Sequence, residues 1–174
     1  MELNKREKIL FSRQKINERV KELGAELSQV YKDKDLVVIS LLRGSFIFCA
    51  DLVREMDIPV EVDFVTTHSY GHGEVSTGKV EIVHDLRTDV KGKDVLIVDD
   101  IMDSGNTINK VREHILAKEA NSINICVMLD KPSRRQVDLD PNYIGFSIED
   151  LFIVGYGLNY GDHYRNIPYI FTFD

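Results

Sequence analysis

The sequence predicts an α/β fold: a mostly parallel sheet flanked by helices, in one domain spanning residues 1–174. Three observations predict it. Short apolar runs rich in β-branched residues alternate with segments whose apolar residues recur every three or four positions, the pattern of strands joined by helical crossovers. The length suits one domain that buries an adequate core without disulfides. The composition, 43% apolar and 29% charged, is that of a soluble globular protein.

The elements follow in order. From Ser12 to Tyr31, the residues Ile16, Val20, Leu23, Leu27 and Val30 mark one face of an amphipathic helix. Leu36 to Leu42 is a β-rich run and reads as a strand. Ser45 to Met56 is helical in pattern and apolar on most sides, which places it under the sheet. Val60 to Thr66 alternates and reads as a strand entered through Pro59. His68 to Lys79 contains three glycines and few apolar groups. It cannot pack well, so it is expected to be mobile and to act as a lid rather than as a plain hairpin loop. Val80 to Val83 reads as a strand, as does Val95 to Val98. A helix follows from about Asn106 to Glu119, then a strand at Ile123 to Leu129. Short strands are expected near 143–146, 152–154 and 169–173.

The segment 95–108 carries the chemistry. Its apolar run Val95 to Val98 ends on two adjacent carboxylates, Asp99 and Asp100. Asp103 follows, then Ser104, Gly105, Asn106 and Thr107, and then helix-formers. A strand, a polar turn and a helix start form an anion site, because the first-turn N–H groups have no intrahelical partner and the helix dipole favours negative charge there. Ser104 and Thr107 add hydroxyl donors, and Gly105 lets backbone approach a phosphate closely. Bare carboxylates beside a phosphate would repel it. A sugar phosphate fits, with its phosphate in the turn and its hydroxyls donating to the acidic pair. No G-x-x-x-x-G-K-[ST] is present, and neither Gly71-His72-Gly73 nor Gly155-Tyr156-Gly157 extends to a dinucleotide fingerprint.

Composition narrows the classes. A net charge of −7 argues against general nucleic-acid affinity and leaves room for Mg²⁺ as a counterion at the site. No apolar run reaches membrane-spanning length. The charged N-terminus lacks the apolar stretch of a signal peptide, and Cys49 and Cys126 lie in apolar runs without metal-ligand spacing. Together these predict a cytoplasmic protein with buried, reduced thiols. The histidines show no metal or triad spacing, and Arg134-Arg135 reads as a solvated or interfacial basic turn.

The 95–108 segment resembles the signature of the phosphoribosyltransferases, which bind phosphoribosyl pyrophosphate. Four further segments carry the resemblance: Leu41 to Phe46, Ser69-Tyr70-Gly71, Leu129 to Arg135, and Phe152 to Tyr160 with Arg165 beyond. In order and spacing, from about residue 10 to 170, they resemble the bacterial hypoxanthine and hypoxanthine-guanine members of the type I family. The resemblance implies that family's fold, with a small hood formed by the terminal segments. It implies transfer of a phosphoribosyl group to hypoxanthine or guanine with release of pyrophosphate, as a step of purine salvage. A non-catalytic regulator that senses phosphoribosyl pyrophosphate on the same fold is the competing class, and the acidic balance argues against it.

The resemblance also implies roles. Asp103 to Thr107 hold the 5′-phosphate. Asp99 and Asp100 take the ribose hydroxyls, directly or through water on Mg²⁺. Asp103 lies near purine N7 as proton acceptor or hydrogen-bond partner. Lys131 donates to O6, Phe152 stacks on the purine and the Ile153 backbone reads its edge. Arg43, Gly44 and Arg165 face pyrophosphate, and Ser69 and Tyr70 close the lid. A cis non-proline peptide within 42–44 and a homodimer or homotetramer are implied as well. The chain departs from the family twice. Asp99 stands where glutamate is common, and Asn159 stands where aspartate helps hold a second Mg²⁺.

Overall fold

A computed structural model describes residues 6–69 and 79–173. The chain runs β1 (Glu7–Phe11), α1 (Arg13–Val30), β2 (Leu36–Leu42), α2 (Phe46–Arg54), β3 (Glu61–Ser69), β4 (Val80–His84), β5 (Asp94–Met102), α3 (Asn106–Leu116), β6 (Ser122–Asp130), a 3₁₀ turn (Pro132–Arg134), β7 (Tyr143–Ser147) and β8 (Ile170–Phe173). Six strands form one sheet in the order β4-β3-β2-β5-β6-β7, parallel except for β4 against β3. β1 and β8 pair antiparallel in a separate two-stranded sheet, which is the hood built from the two ends of the chain.

The central strands β2 and β5 are apolar on both faces because both faces are covered. Val38, Leu96 and Val98 point to a core shared with Ile16, Leu23 and Leu27 of α1 and Phe48 and Leu52 of α2. Val37, Ile39, Val95 and Ile97 point the other way, to a core closed by Ile108, Val111 and Ile115 of α3. Ser12 caps α1 by accepting from the Lys15 amide at 3.2 Å. At the exit of β2, the buried Ser40 and Ser45 hydroxyls share a 2.6 Å bond and Ser45 donates to Leu41 O, so neither hydroxyl is stranded in the core.

From β2 the chain proceeds to β3 on one side, and from β5 to β6 and β7 on the other. The loops leaving β2 and β5 therefore part in opposite directions and open a crevice at the strands' C-terminal ends. Ligands of open α/β sheets bind at such a switch point.

Several elements differ from the sequence expectation. β1 was not anticipated. Its partner β8 lies at the far end of the chain, so no local alternation marks it. β5 continues through the acidic pair to Met102, where the sequence reads as a loop from Asp99 on. Parallel pairing of Asp99, Ile101 and Met102 with β6 holds these residues extended. The strand expected at 152–154 is a single antiparallel bridge, Val154 with Phe171. α3 ends at Leu116. Of the expected lid, His68 and Ser69 extend β3 and Lys79 precedes β4, while Tyr70 and the rest of 70–78 lie outside the described residues.

Leu96 is fully buried between β5 and the α1–α2 layer. Leu96→Ala is expected to lower the unfolding free energy by about 2–5 kcal/mol, measured as a lower urea midpoint at unchanged slope.

Candidate active site

Residues at the C-terminal end of β5 line a cavity of about 250 Å³: Asp99, Asp100 and the run Ile101–Gly105, with Thr107 and Ile108 from α3. Larger hollows lie elsewhere. One of about 960 Å³ sits at the opposite, N-terminal ends of β2 and β3. Size does not decide between them. The smaller cavity holds the convergent polar groups and sits at the switch point. Gly105 enters α3 with φ +84, and no side chain caps the helix start. The Ser104 hydroxyl accepts from the Asn106 amide at 3.3 Å. The Asn106 side chain is turned to Gln136 Oε1 at 2.9 Å and does not line the cavity.

Asp99 and Asp100 are half-buried, and each accepts from the following backbone amide, at 2.9 and 2.8 Å. Burial pushes both carboxyls above the ordinary carboxylate range. The neighbouring Asp100 charge adds to the rise at Asp99, while at Asp100 the bonds of Asp99 and Ile101 and the Arg165 guanidinium oppose it.

Asp100 also fixes what may follow β2. A Cβ on Gly44 would overlap Asp100 Oδ2, so a side chain there would displace this carboxylate from its present position. On the other side, Gly157, at φ +100, lies so close that a Cβ would overlap Gly44 O. Arg165 donates through Nη1 to Gly157 O at 2.6 Å, and its own carbonyl accepts from the Gly157 amide at 3.0 Å. Arg43 and Gly44, the acidic pair and Arg165 thus meet in one corner, although they come from distant parts of the chain. The Leu42–Arg43 peptide is cis.

Lys131 is brought to the same crevice. Its amide donates to Met102 O at 2.9 Å, next to Asp103. Its side chain is buried, with Nζ donating to Leu151 O at 2.5 Å and lying 3.6 Å from Asp150 Oδ1. Phe152 is the reverse case, an aromatic ring 57% exposed that meets Tyr160 edge-on at 5.7 Å. Thr172 donates to Phe152 O at 2.7 Å, and Ile153 beside it is buried. By sequence polarity alone the lysine belongs in water and the phenylalanine in the core. The structure inverts both.

Of the basic turn, Arg134 is exposed, as the sequence reading expects, while Arg135 is largely withdrawn from solvent. Arg135 pairs with Asp130 at 2.6 Å, with Nη1 donating to Asp103 O at 2.8 Å. Arg134 Nε lies 2.9 Å from Asp103 Oδ1, and Arg134 Nη1 lies 3.3 Å from Asp150 Oδ2. The signal that could have found Arg135 is the acid five positions earlier, Asp130, which closes a loop on it.

Among the described residues no group of three or more His, Cys, Asp or Glu side chains is assembled for a metal. Mg²⁺ does not need one, because it binds through one or two carboxylates together with substrate phosphates and waters. The paired carboxylates, both raised by burial, fit that description. Asn159 is exposed, its side-chain amide donating to Gly161 O. Ser69 ends β3 opposite Val80.

Comparison with known proteins agrees with this geometry. Residues 8–161 match the family described as phosphoribosyl transferase domain. The chain is 51% identical over 164 residues to a hypoxanthine phosphoribosyltransferase of Salmonella typhimurium, covering 93% of this chain and 92% of that one. It is 46% identical to the hypoxanthine-guanine phosphoribosyltransferase of Bacillus subtilis, covering 94% and 91%. A solved hypoxanthine phosphoribosyltransferase from Staphylococcus aureus superposes with a TM-score of 0.92 at 41% identity, covering 96% and 91%.

Proposed function

The chain belongs to the phosphoribosyl transferase family, and on that premise we propose that it is a purine-salvage transferase. It joins hypoxanthine, and guanine, to the ribose 5-phosphate of phosphoribosyl pyrophosphate and releases pyrophosphate. The observation that carries this reading is the Lys131 amide bond to Met102 O at 2.9 Å. It sets Lys131, whose side chain is buried, beside Met102, the residue before the turn that would seat a sugar phosphate. Relatives named as transferases leave the sensing regulator unsupported.

In this reading Asp103 to Thr107 seat the 5′-phosphate on backbone N–H groups and the Ser104 and Thr107 hydroxyls. Asn106 contributes only its backbone, since its side chain is engaged with Gln136. Arg43, Gly44 and Arg165 face the leaving pyrophosphate, where positioned donors stabilise developing negative charge. Lys131 donates to O6. An ammonium has three donors and no acceptor, so a 6-oxo group satisfies it and a 6-amino group does not. Phe152 stacks on the purine, which accounts for an apolar ring left in water, and the Ile153 backbone reads its edge. Asp103 accepts a proton or a hydrogen bond at N7. Ser69 and Tyr70 close over the site and exclude water, which would otherwise consume the sugar cation.

Asp99 and Asp100 are the residues that would hold Mg²⁺, with Asn159 beside the second position. The ion would offset the charge of the acidic pair and of the pyrophosphate. Asparagine offers a carbonyl oxygen without charge, so a second metal is held more weakly than by aspartate.

No helix of the described residues is long and apolar enough to cross a membrane, and a cytoplasmic location follows from the same reading. Phe46 of α2 and Val62 and Phe64 of β3 are exposed apolar side chains. They support a homodimer or homotetramer in which these side chains are covered.

Purified protein given phosphoribosyl pyrophosphate, Mg²⁺ and each purine in turn is expected to form the nucleoside monophosphate of hypoxanthine and of guanine, with none from adenine. Absence of product with every purine ends the transferase reading. Lys131→Ala is expected to cost about 1–3 kcal/mol in transition-state binding, seen as a lower kcat/KM for hypoxanthine. Asn159→Asp is expected to reduce the Mg²⁺ concentration giving half-maximal rate, and an unchanged Mg²⁺ titration removes the role given to residue 159.

A further inference from the structure

The loop after β6 has two parts with different duties. Its first residue, Lys131, faces the base. Further on, Arg135 to Val137 lie against the turn that seats the phosphate. We propose that Arg135 is a positioning residue that locks the phosphate-seating turn in register with Lys131, so that one nucleotide fits both. The proposal rests on the reading of Asp103 to Thr107 as the phosphate seat.

The Arg135 side chain is 11% exposed and its partner Asp130 is 6% exposed. Nη2 meets Asp130 Oδ1 at 2.6 Å, and Nη1 donates to Asp103 O at 2.8 Å. One guanidinium therefore ties the last residue of β6 to the first residue of the turn. The rest of the loop follows the turn residue by residue. The Gln136 amide donates to Ser104 O at 2.9 Å, and Gln136 Oε1 accepts from Asn106 Nδ2 at 2.9 Å. Gly105 packs so closely on Val137 and the Arg135 stem that a Cβ would overlap Val137. Asp103 Oδ1 meets Arg134 Nε at 2.9 Å, and Arg135 Nε lies 3.5 Å from Asp140 Oδ1.

Two physical points separate positioning from mere stability. A buried ion pair is no more stabilising, in general, than two apolar side chains of similar volume. An apolar pair, however, offers no donor to Asp103 O. A forked donor can bond a carboxylate and a carbonyl at once, which a lysine ammonium on a flexible stem does not reproduce. The turn binds through backbone N–H groups whose convergence depends on where Asp103 O is held. A displacement of about 1 Å in such a seat is enough to cost roughly 10²-fold.

The test uses the full chain in three variants: the apolar pair Asp130→Leu with Arg135→Met, Arg135→Lys alone, and Thr107→Val as a probe of the seat itself. Folding is checked by thermal melting, and KM for phosphoribosyl pyrophosphate is measured separately from KM for hypoxanthine. The apolar pair is expected to melt near the parent temperature, with KM for phosphoribosyl pyrophosphate raised by about tenfold or more. KM for hypoxanthine at saturating phosphoribosyl pyrophosphate should change little. Arg135→Lys should move in the same direction and decides the matter if the apolar pair does not fold. If Thr107→Val raises KM for phosphoribosyl pyrophosphate while the folded Arg135 variants do not, the clamp is overturned. If Thr107→Val also leaves it unchanged, the phosphate seat itself is wrong and the clamp falls with it.

Discussion

The acidic pair at the end of β5 is the constraint around which the site is arranged. Adjacent residues of a strand ordinarily point to opposite faces. Asp99 and Asp100 nevertheless both line the cavity, because it opens at the very end of the strand and takes in both sides of it. Two carboxyls this close resist joint ionisation, and burial compounds the cost. The surrounding structure offsets part of that cost through the amides of Asp100 and Ile101 and the charge of Arg165. The remainder leaves a standing affinity for a cation or for hydroxyl donors. The same constraint propagates outward, since a side chain at 44 would displace the Asp100 carboxylate and the Gly44 carbonyl requires glycine at 157. A side chain at 157 would force apart the corner that gathers Arg43, Asp100 and Arg165.

Most of the sheet could be read from the sequence, and the reasons are local. β2 and β5 are buried on both faces, so each is a continuous apolar run bounded by polar residues. α1 declares itself through a regular apolar face. β1 could not be read, because its stability comes from pairing with β8 more than 150 residues later in the chain. The extension of β5 past Val98 was hidden for another reason. Aspartate is a poor strand former, and pairing with β6 overrides that preference. Such overrides are expected where function places charged groups inside regular structure.

The candidate site was legible as a set of segments and not as a geometry. The turn after β5 announced an anion site through its residue types, and resemblance supplied the remaining groups. What lay out of reach was the supporting layer. Arg135 read as solvated or interfacial together with Arg134, because two adjacent arginines in a polar turn usually are, and of the two only Arg134 is exposed. Only folding reveals that Asp130 and the Asp103 carbonyl lie within reach of one guanidinium. Lys131 and Phe152 teach the complementary lesson. A buried ammonium bonded to Leu151 O and a phenyl ring 57% exposed are both unfavourable in the isolated protein. A flat ligand bearing an acceptor opposite the lysine relieves the two defects together.

Charge locality reconciles an acidic protein with anionic substrates. The net charge of −7 belongs to the whole surface. At physiological ionic strength its influence fades over a screening length of about 8 Å. Within the crevice the balance is different. Arg165 acts on Asp100 from one side, while Lys131, Arg134 and Arg135 gather on the other. Several of these cations are already engaged with Asp103, Asp130 and Asp150, so they are not free to neutralise a pyrophosphate by themselves. On the proposed reading, further positive charge would come with a divalent ion bound to phosphoribosyl pyrophosphate, and Asp99 and Asp100 are the residues that would hold it.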